Sequence, residues 1–139
     1  MNAEVFLDTN ILVYSFDKGD PRRQRIAKER LDVLFTRQAC VAVSIQVIQE
    51  FIHTMLRKGE TLDFLREVTE YYLRRDVIEN TAGLLRRALD VQERFQLSFY
   101  DANIIAAAQL SGAKELWSED FNTGQDYGGV VVVNPFEEA

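Results

Sequence analysis

The 139-residue chain has one cysteine, one histidine and two prolines, and it has no apolar run long enough to cross a bilayer. Each shortage removes a class of chemistry. A single cysteine, Cys40, excludes a disulfide framework and a thiolate metal site; within the apolar run Cys40-Val41-Ala42-Val43 it is expected as a small buried residue in a reducing, cytoplasmic setting. A single histidine, His53, leaves no marked serine or cysteine triad. His53 follows Glu50 by three residues and shares its helix face, but di-metal bundle sites use that spacing twice, so a packing or surface role is expected. There is no glycine-rich phosphate loop. The opening Met-Asn-Ala-Glu has neither the basic flank nor the apolar core of a signal peptide, and a soluble protein is expected.

Positive charge is also short. Lys and Arg number 16 against 22 Asp and Glu, giving a net charge of -6 and a pI near 4.8, which on its face argues against a nucleic-acid ligand. The distribution of charge weakens that argument. Basic residues gather in Arg22-Arg23-Arg25-Lys28-Arg30, Arg57-Lys58, Arg74-Arg75 and Arg86-Arg87, and a local field can oppose net charge. Each cluster taken alone reads as a solvated helix face.

What is present is enough apolar residue, 47%, for one core, so residues 1–139 are expected as a single domain. Short apolar runs alternate with helical patterns. Val5 to Leu7 reads as a strand ending at Asp8, with Asn10 as a cap for a brief helical segment through Tyr14 and Ser15. Asp20-Pro21 starts a helix running to about Phe35. Cys40 to Val43 is a strand, and Ser44 caps a helix ending near Lys58-Gly59. Thr61 opens a further helix, Val77-Ile78 forms a strand, and Thr81 and Ser98 cap two more helices, the second spanning Phe99 to Leu110. Leu116-Trp117 and Val130 to Val133 complete the strands. The pattern predicts an α/β protein with helices on both faces of a short, mainly parallel sheet of about five strands.

Four acids fall where this chain turns from strand to helix or loop: Asp8, Glu50, Asp101 and Asp120. In open parallel sheets ligands collect at the carboxyl ends of the strands, and carboxylates crowded there favour a hard divalent cation. Each acid also has a purely structural reading. Asp101 fits the fourth position of a capping box begun by Ser98, Asp8 and Asp120 suit turns, and Glu50 suits a helix edge.

Taken together, Leu7-Asp8-Thr9-Asn10-Ile11-Leu12, Glu50, Asp101-Ala102 and Ser118-Glu119-Asp120-Phe121 resemble the PIN-domain family, of the kind that includes VapC-like toxins. The resemblance covers essentially the whole chain. It implies a three-layer α/β/α sandwich and a catalytic and metal-binding quartet of Asp8, Glu50, Asp101 and Asp120. It further implies hydrolytic cleavage of RNA dependent on Mg²⁺ or Mn²⁺, as in the toxin of a toxin-antitoxin pair. Thr9, Asn10 and Ser118 match the family pattern in type and are expected to orient carboxylates. Asp126 resembles an additional acid of some members, but a turn residue is the expected reading. A cognate antitoxin and a homodimer are implied partners. Two other classes remain open: a non-catalytic PIN-like module that binds RNA or protein, and a small-molecule phosphatase with Asp8 as nucleophile. The last usually needs a second acid two residues on, where this chain has Asn10.

Overall fold

Local signals set most of the element boundaries in the computed structural model, which describes residues 2–137. The first strand, β1 (Val5–Leu7), runs directly into α1 (Thr9–Tyr14), and α2 (Pro21–Thr36) follows. Asp20 caps α2 by accepting from the Arg23 amide at 3.1 Å, with Pro21 in the first helical turn where no amide donor is needed. The chain continues through β2 (Val41–Ser44), α3 (Ile45–Arg57), α4 (Leu62–Leu73), β3 (Asp76–Ile78), α5 (Ala82–Phe95), α6 (Phe99–Ser111), β4 (Glu115–Trp117) and β5 (Val131–Val133). Ser44, Thr61, Thr81 and Ser98 each accept from a backbone amide three residues on, as their positions predict.

The strands form one sheet in the order β3-β2-β1-β4-β5, and all four pairings are parallel. The only antiparallel contact among the described residues is an isolated bridge from Asp126 to Val131. Right-handed crossovers place α1 to α4, which link strands stepping outward from β1, on one face. The reverse step from β3 to β4 puts α5 and α6 on the other. The result is the expected three-layer sandwich. β1 and β2 are buried along their whole length, the signature of a strand covered on both faces. Ala102, Ala106, Ala107 and Ala108 are all buried in α6, where small side chains let it approach β2 and β3 closely.

Two local expectations need correcting. Asn10 is not the cap of α1; Asp8 is, in extended backbone, accepting from the Thr9 amide at 2.7 Å. The helix starts one residue after the strand, so the capping position falls on the acid and Asn10 is carried into the first turn. Cys40 is half-buried, not fully buried, because β2 begins one residue later than expected and leaves Cys40 at its mouth. Among the described residues no helix is long and apolar enough to cross a membrane.

Candidate active site

The order of strands reverses beside β1. The chain first builds outward to β2 and β3, then returns to add β4 and β5 on the opposite edge, so the segments leaving β1 and β4 diverge and open a crevice. Asp8 leaves β1 there, and Ser118 and Asp120 leave β4. The Asp8 amide donates to the Trp117 carbonyl at 3.1 Å and the Ser118 amide to the Val133 carbonyl at 3.1 Å, which continues the ladder to the mouth of the crevice.

Ser118 is fully buried and stands at the centre of a hydrogen-bonded cluster. Its hydroxyl donates to Asp8 Oδ2 at 2.7 Å and accepts from the Asp120 amide at 3.0 Å and from Asn10 Nδ2 at 3.3 Å. Asn10 Nδ2 also donates to Asp120 Oδ2 at 3.1 Å, while its carbonyl accepts from the Glu119 amide at 3.3 Å. On the α3 side, Thr9 donates to Glu50 Oε1 at 2.7 Å. Thr9, Asn10 and Ser118 thus each hydrogen-bond a carboxylate, Thr9 reaching Asp8 through its amide and Glu50 through its hydroxyl.

The electrostatics follow from the burial. Asp8 is 5% exposed, and burial pushes its carboxyl up from 3.8 to about 7; the hydrogen bonds from Ser118 and Thr9 oppose the rise, while the charges of Asp120 and Glu50 add to it. Asp120 sits at the rim, yet its partial enclosure raises its pKa too, with Asn10 opposing and Glu119, Asp101 and Glu50 reinforcing. The charged groups that shift Asp8 and Asp120 are acids. Asp101 occupies the first turn of α6 and is exposed, and its amide donates to Ser98 Oγ at 3.3 Å, which is the serine half of a capping box. Asp120 and Glu50 thus act on Asp8, and Asp101 and Glu50 act on Asp120, so that Asp120 stands between the exposed Asp101 and the buried Asp8.

The donors are all oxygen, the kind a hard divalent cation selects, and each Asp8 oxygen carries a single hydrogen bond, leaving a lone pair free. Among the described residues, however, no three acidic, histidine or cysteine side chains are gathered closely enough to grip an ion as they stand. The donor chemistry fits such an ion, with Asp8 buried and Asp101 and Asp120 exposed at the rim.

Two other groups, Asp126 and the histidine, are placed as expected. Asp126 accepts from the Gly129 amide at 2.7 Å, a turn contact. His53 is exposed and lines an open hollow with Thr9, Gln49, Glu50 and Thr54, making no hydrogen bond to an acid. Sequence reasoning missed Gln46. Buried one turn before Glu50, it donates to Glu50 Oε2 at 3.3 Å and to the Tyr100 carbonyl at 3.4 Å, and accepts from Asn103. Its spacing of four residues from Glu50 on an amphipathic helix was the available signal. Also missed was a brace behind the β4 loop: Glu119 accepts from Tyr14 at 2.8 Å and from Arg23 at 3.2 Å.

No curated protein gives a sequence match. Among solved structures, a toxin-antitoxin complex from Klebsiella pneumoniae superposes with a TM-score of 0.73 at 23% identity, covering 97% of this chain and 100% of its counterpart. VapC20 of Mycobacterium tuberculosis, described as a sarcin-ricin loop cleaving toxin, gives 0.65 at 22% identity over 84% of this chain and 92% of that one. VapBC2 of Rickettsia felis, bound to a DNA fragment from its promoter, gives 0.66 at 18% identity, covering 94% and 97%. At such identities the likeness establishes the fold alone. The family model of the PIN domain matches residues 5–123, a span that holds all four acids and most of the chain, and the chain belongs to the PIN-domain family.

Proposed function

We propose that this protein is a metal-dependent endoribonuclease, the toxin of a toxin-antitoxin pair acting in the cytoplasm. The observation that carries the reading is the buried Asp8, held at a sheet switch point under the charges of Asp120 and Glu50, with Asp101 acting in turn on Asp120. Burial raises the pKa values of Asp8 and Asp120 and neighbouring acids add to both, a poor device for stability and a good one for a cation. In the proposed arrangement Asp8 and Asp101 hold Mg²⁺ or Mn²⁺, with Glu50 and Asp120 contributing directly or through water. The chemistry supplied by the bound ion is activation of water and neutralisation of charge on the phosphate.

The chain's own residues supply position. Ser118 keeps Asp8 oriented, Thr9 and Gln46 hold the two oxygens of Glu50, and Asn10 keeps Asp120 beside Ser118. Each carboxylate oxygen that accepts one of these bonds retains a further lone pair for the ion or for its water shell. An acidic crevice repels an RNA backbone, so substrate entry is coupled to metal loading.

The partner reading rests on exposed apolar side chains. Val33, Leu85, Leu89 and Tyr100 are each more than half exposed, by 62, 51, 53 and 68%, and Leu85 and Leu89 lie one turn apart on α5. A homodimer and a basic antitoxin segment would cover such surface on an acidic chain. Light scattering that shows only monomer at high concentration would count against the dimer. The nuclease itself is tested with Asp8→Asn: RNA cleavage is lost while far-ultraviolet circular dichroism is unchanged, and full turnover by that variant would sink the assignment.

A further inference from the structure

Of the basic groups in the chain, one is gathered in a groove. Arg86, Arg87 and Arg94 of α5 line an open hollow of about 630 Å³ between α5 and α6, together with Thr81, Asp90 and Gln109. Arg87 and Arg94 are seven residues apart and share a helix face. Elsewhere Arg23, Arg37, Lys58 and Arg66 are each neutralised by an acid at salt-bridge distance. Among the described residues Arg86, Arg87 and Arg94 have no such acid. Two of the three are nevertheless fixed by neutral contacts. Arg87 donates to Gln109 Oε1 at 3.2 Å, with Gln109 itself donating to the Tyr127 carbonyl at 3.0 Å, and the Arg94 guanidinium lies 4.8 Å from the centre of the Phe95 ring. The charge of Arg87 and Arg94 is therefore held in place, and Asp90 offsets only part of the lining, which stays net positive; this lowers the ordering cost of a contact with an anion.

The hollow adjoins a second one on the side toward the acid crevice. Thr81 and Leu84 also line the adjoining hollow, whose wall includes Gln46 and Tyr100, the partner of Glu50 and the neighbour of Asp101. On its other side the Phe95 ring packs 5.1 Å from the buried Tyr127, and Tyr127 lies 5.9 Å from Phe121, the residue after Asp120, so a packed aromatic wall braces the hollow against the β4 loop. From Arg86 to Arg94 the helix rises about 12 Å, room for more than one phosphate. A chain of net charge -6 can hold a polyanion only where its field is locally positive, and guanidinium forks suit phosphate oxygens.

We propose that the α5–α6 hollow is the track for the RNA phosphate backbone flanking the bond to be cut, with Arg86, Arg87 and Arg94 as its phosphate contacts. This rests on the nuclease reading above for the identity of the polyanion. The test measures binding apart from cleavage. Fluorescence anisotropy of a labelled single-stranded RNA is followed in EDTA across a salt series, on an Asp8→Asn background that leaves the RNA intact and removes one of the crevice charges that repel it. Adding Arg86→Gln, Arg87→Gln and Arg94→Gln reduces the slope of log K against log salt by about 2 and weakens binding about 100-fold at 0.1 M salt. The same three positions changed to Lys keep the slope, which excludes damage to α5 as the cause. A control with Arg25→Gln, Lys28→Gln and Arg66→Gln, an equal change in charge on other surfaces, keeps it too. An unchanged slope in the groove variant, or an equal loss in the control, overturns the track. The two readings fail separately: RNA bound through these arginines but never cut by the wild type refutes the nuclease, whereas metal-dependent cutting with a groove variant that binds normally refutes the track.

Discussion

Asp8→Asn should make the metal-free protein more stable at alkaline pH. In the folded chain burial raises the Asp8 carboxyl from 3.8 to about 7, so folding favours its protonated form. The resulting stability is fully present below about pH 4 and is lost as the pH rises through 7, because the folded state must then carry a buried charge. The full gap corresponds to roughly 4 kcal/mol, of which about 2.5 kcal/mol falls between pH 5 and pH 8. Asparagine keeps the shape and carries no charge at any pH. It cannot accept from Ser118 and Thr9 as two carboxylate oxygens do, which offsets part of the gain by about 1 kcal/mol. Urea unfolding in EDTA at a series of pH values, on wild type and variant together, isolates Asp8, since groups such as the exposed Glu4–Arg37 pair are common to both. The variant gains on the wild type by about 2.5 kcal/mol from pH 5 to pH 8. A difference that stays flat across that range, or runs the other way, refutes a buried Asp8 with a raised pKa.

Three further outcomes follow from the same cluster. Ser118→Ala removes a hydroxyl that touches Asp8, Asp120 and Asn10; it costs roughly 1–3 kcal/mol in urea unfolding and moves the acid limb of a cleavage pH profile upward, because the bond that lowers the Asp8 pKa is gone. Mg²⁺ at about 100 times its dissociation constant raises the stability of the wild type by roughly 2.7 kcal/mol, more effectively at pH 8 than at pH 5, and leaves Asp8→Asn unmoved in the same thermal melt. Gln46→Met fills the same space but strands Glu50 and Asn103 without their shared partner; it lowers stability by about 1–3 kcal/mol and weakens metal binding measured by calorimetry.

The parts of this molecule that could be read from its sequence are those governed by near neighbours. The caps at Asp20, Ser44, Thr61, Thr81 and Ser98 are side-chain contacts to an amide three residues on, and local composition announces them. The edge positions of Asp8, Asp101 and Asp120 were legible because each follows a strand or opens a helix, and parallel topology carries such points to one edge, whereas Glu50 lies in the second turn of α3. Asn10 shows where local reasoning fails. As a cap it would have bonded within its own turn, yet it bridges Ser118 and Asp120 more than one hundred residues away, a contact that exists only once β1 and β4 are neighbours. Gln46 with Asn103 and Arg23 with Glu119 are of the same kind. The groove arginines were visible only as a charge run until α5 and α6 were packed together.

The direct trial of the acid quartet as a metal-dependent ribonuclease centre is cleavage of a mixed panel of tRNA, rRNA and single-stranded RNA in EDTA, Mg²⁺ or Mn²⁺. Wild type and Asp101→Asn are purified side by side, so that a contaminating nuclease would appear in both. Cutting that needs the metal and disappears in the variant is the expected result. Cutting that persists in EDTA, or at equal rate in Asp101→Asn, contradicts it.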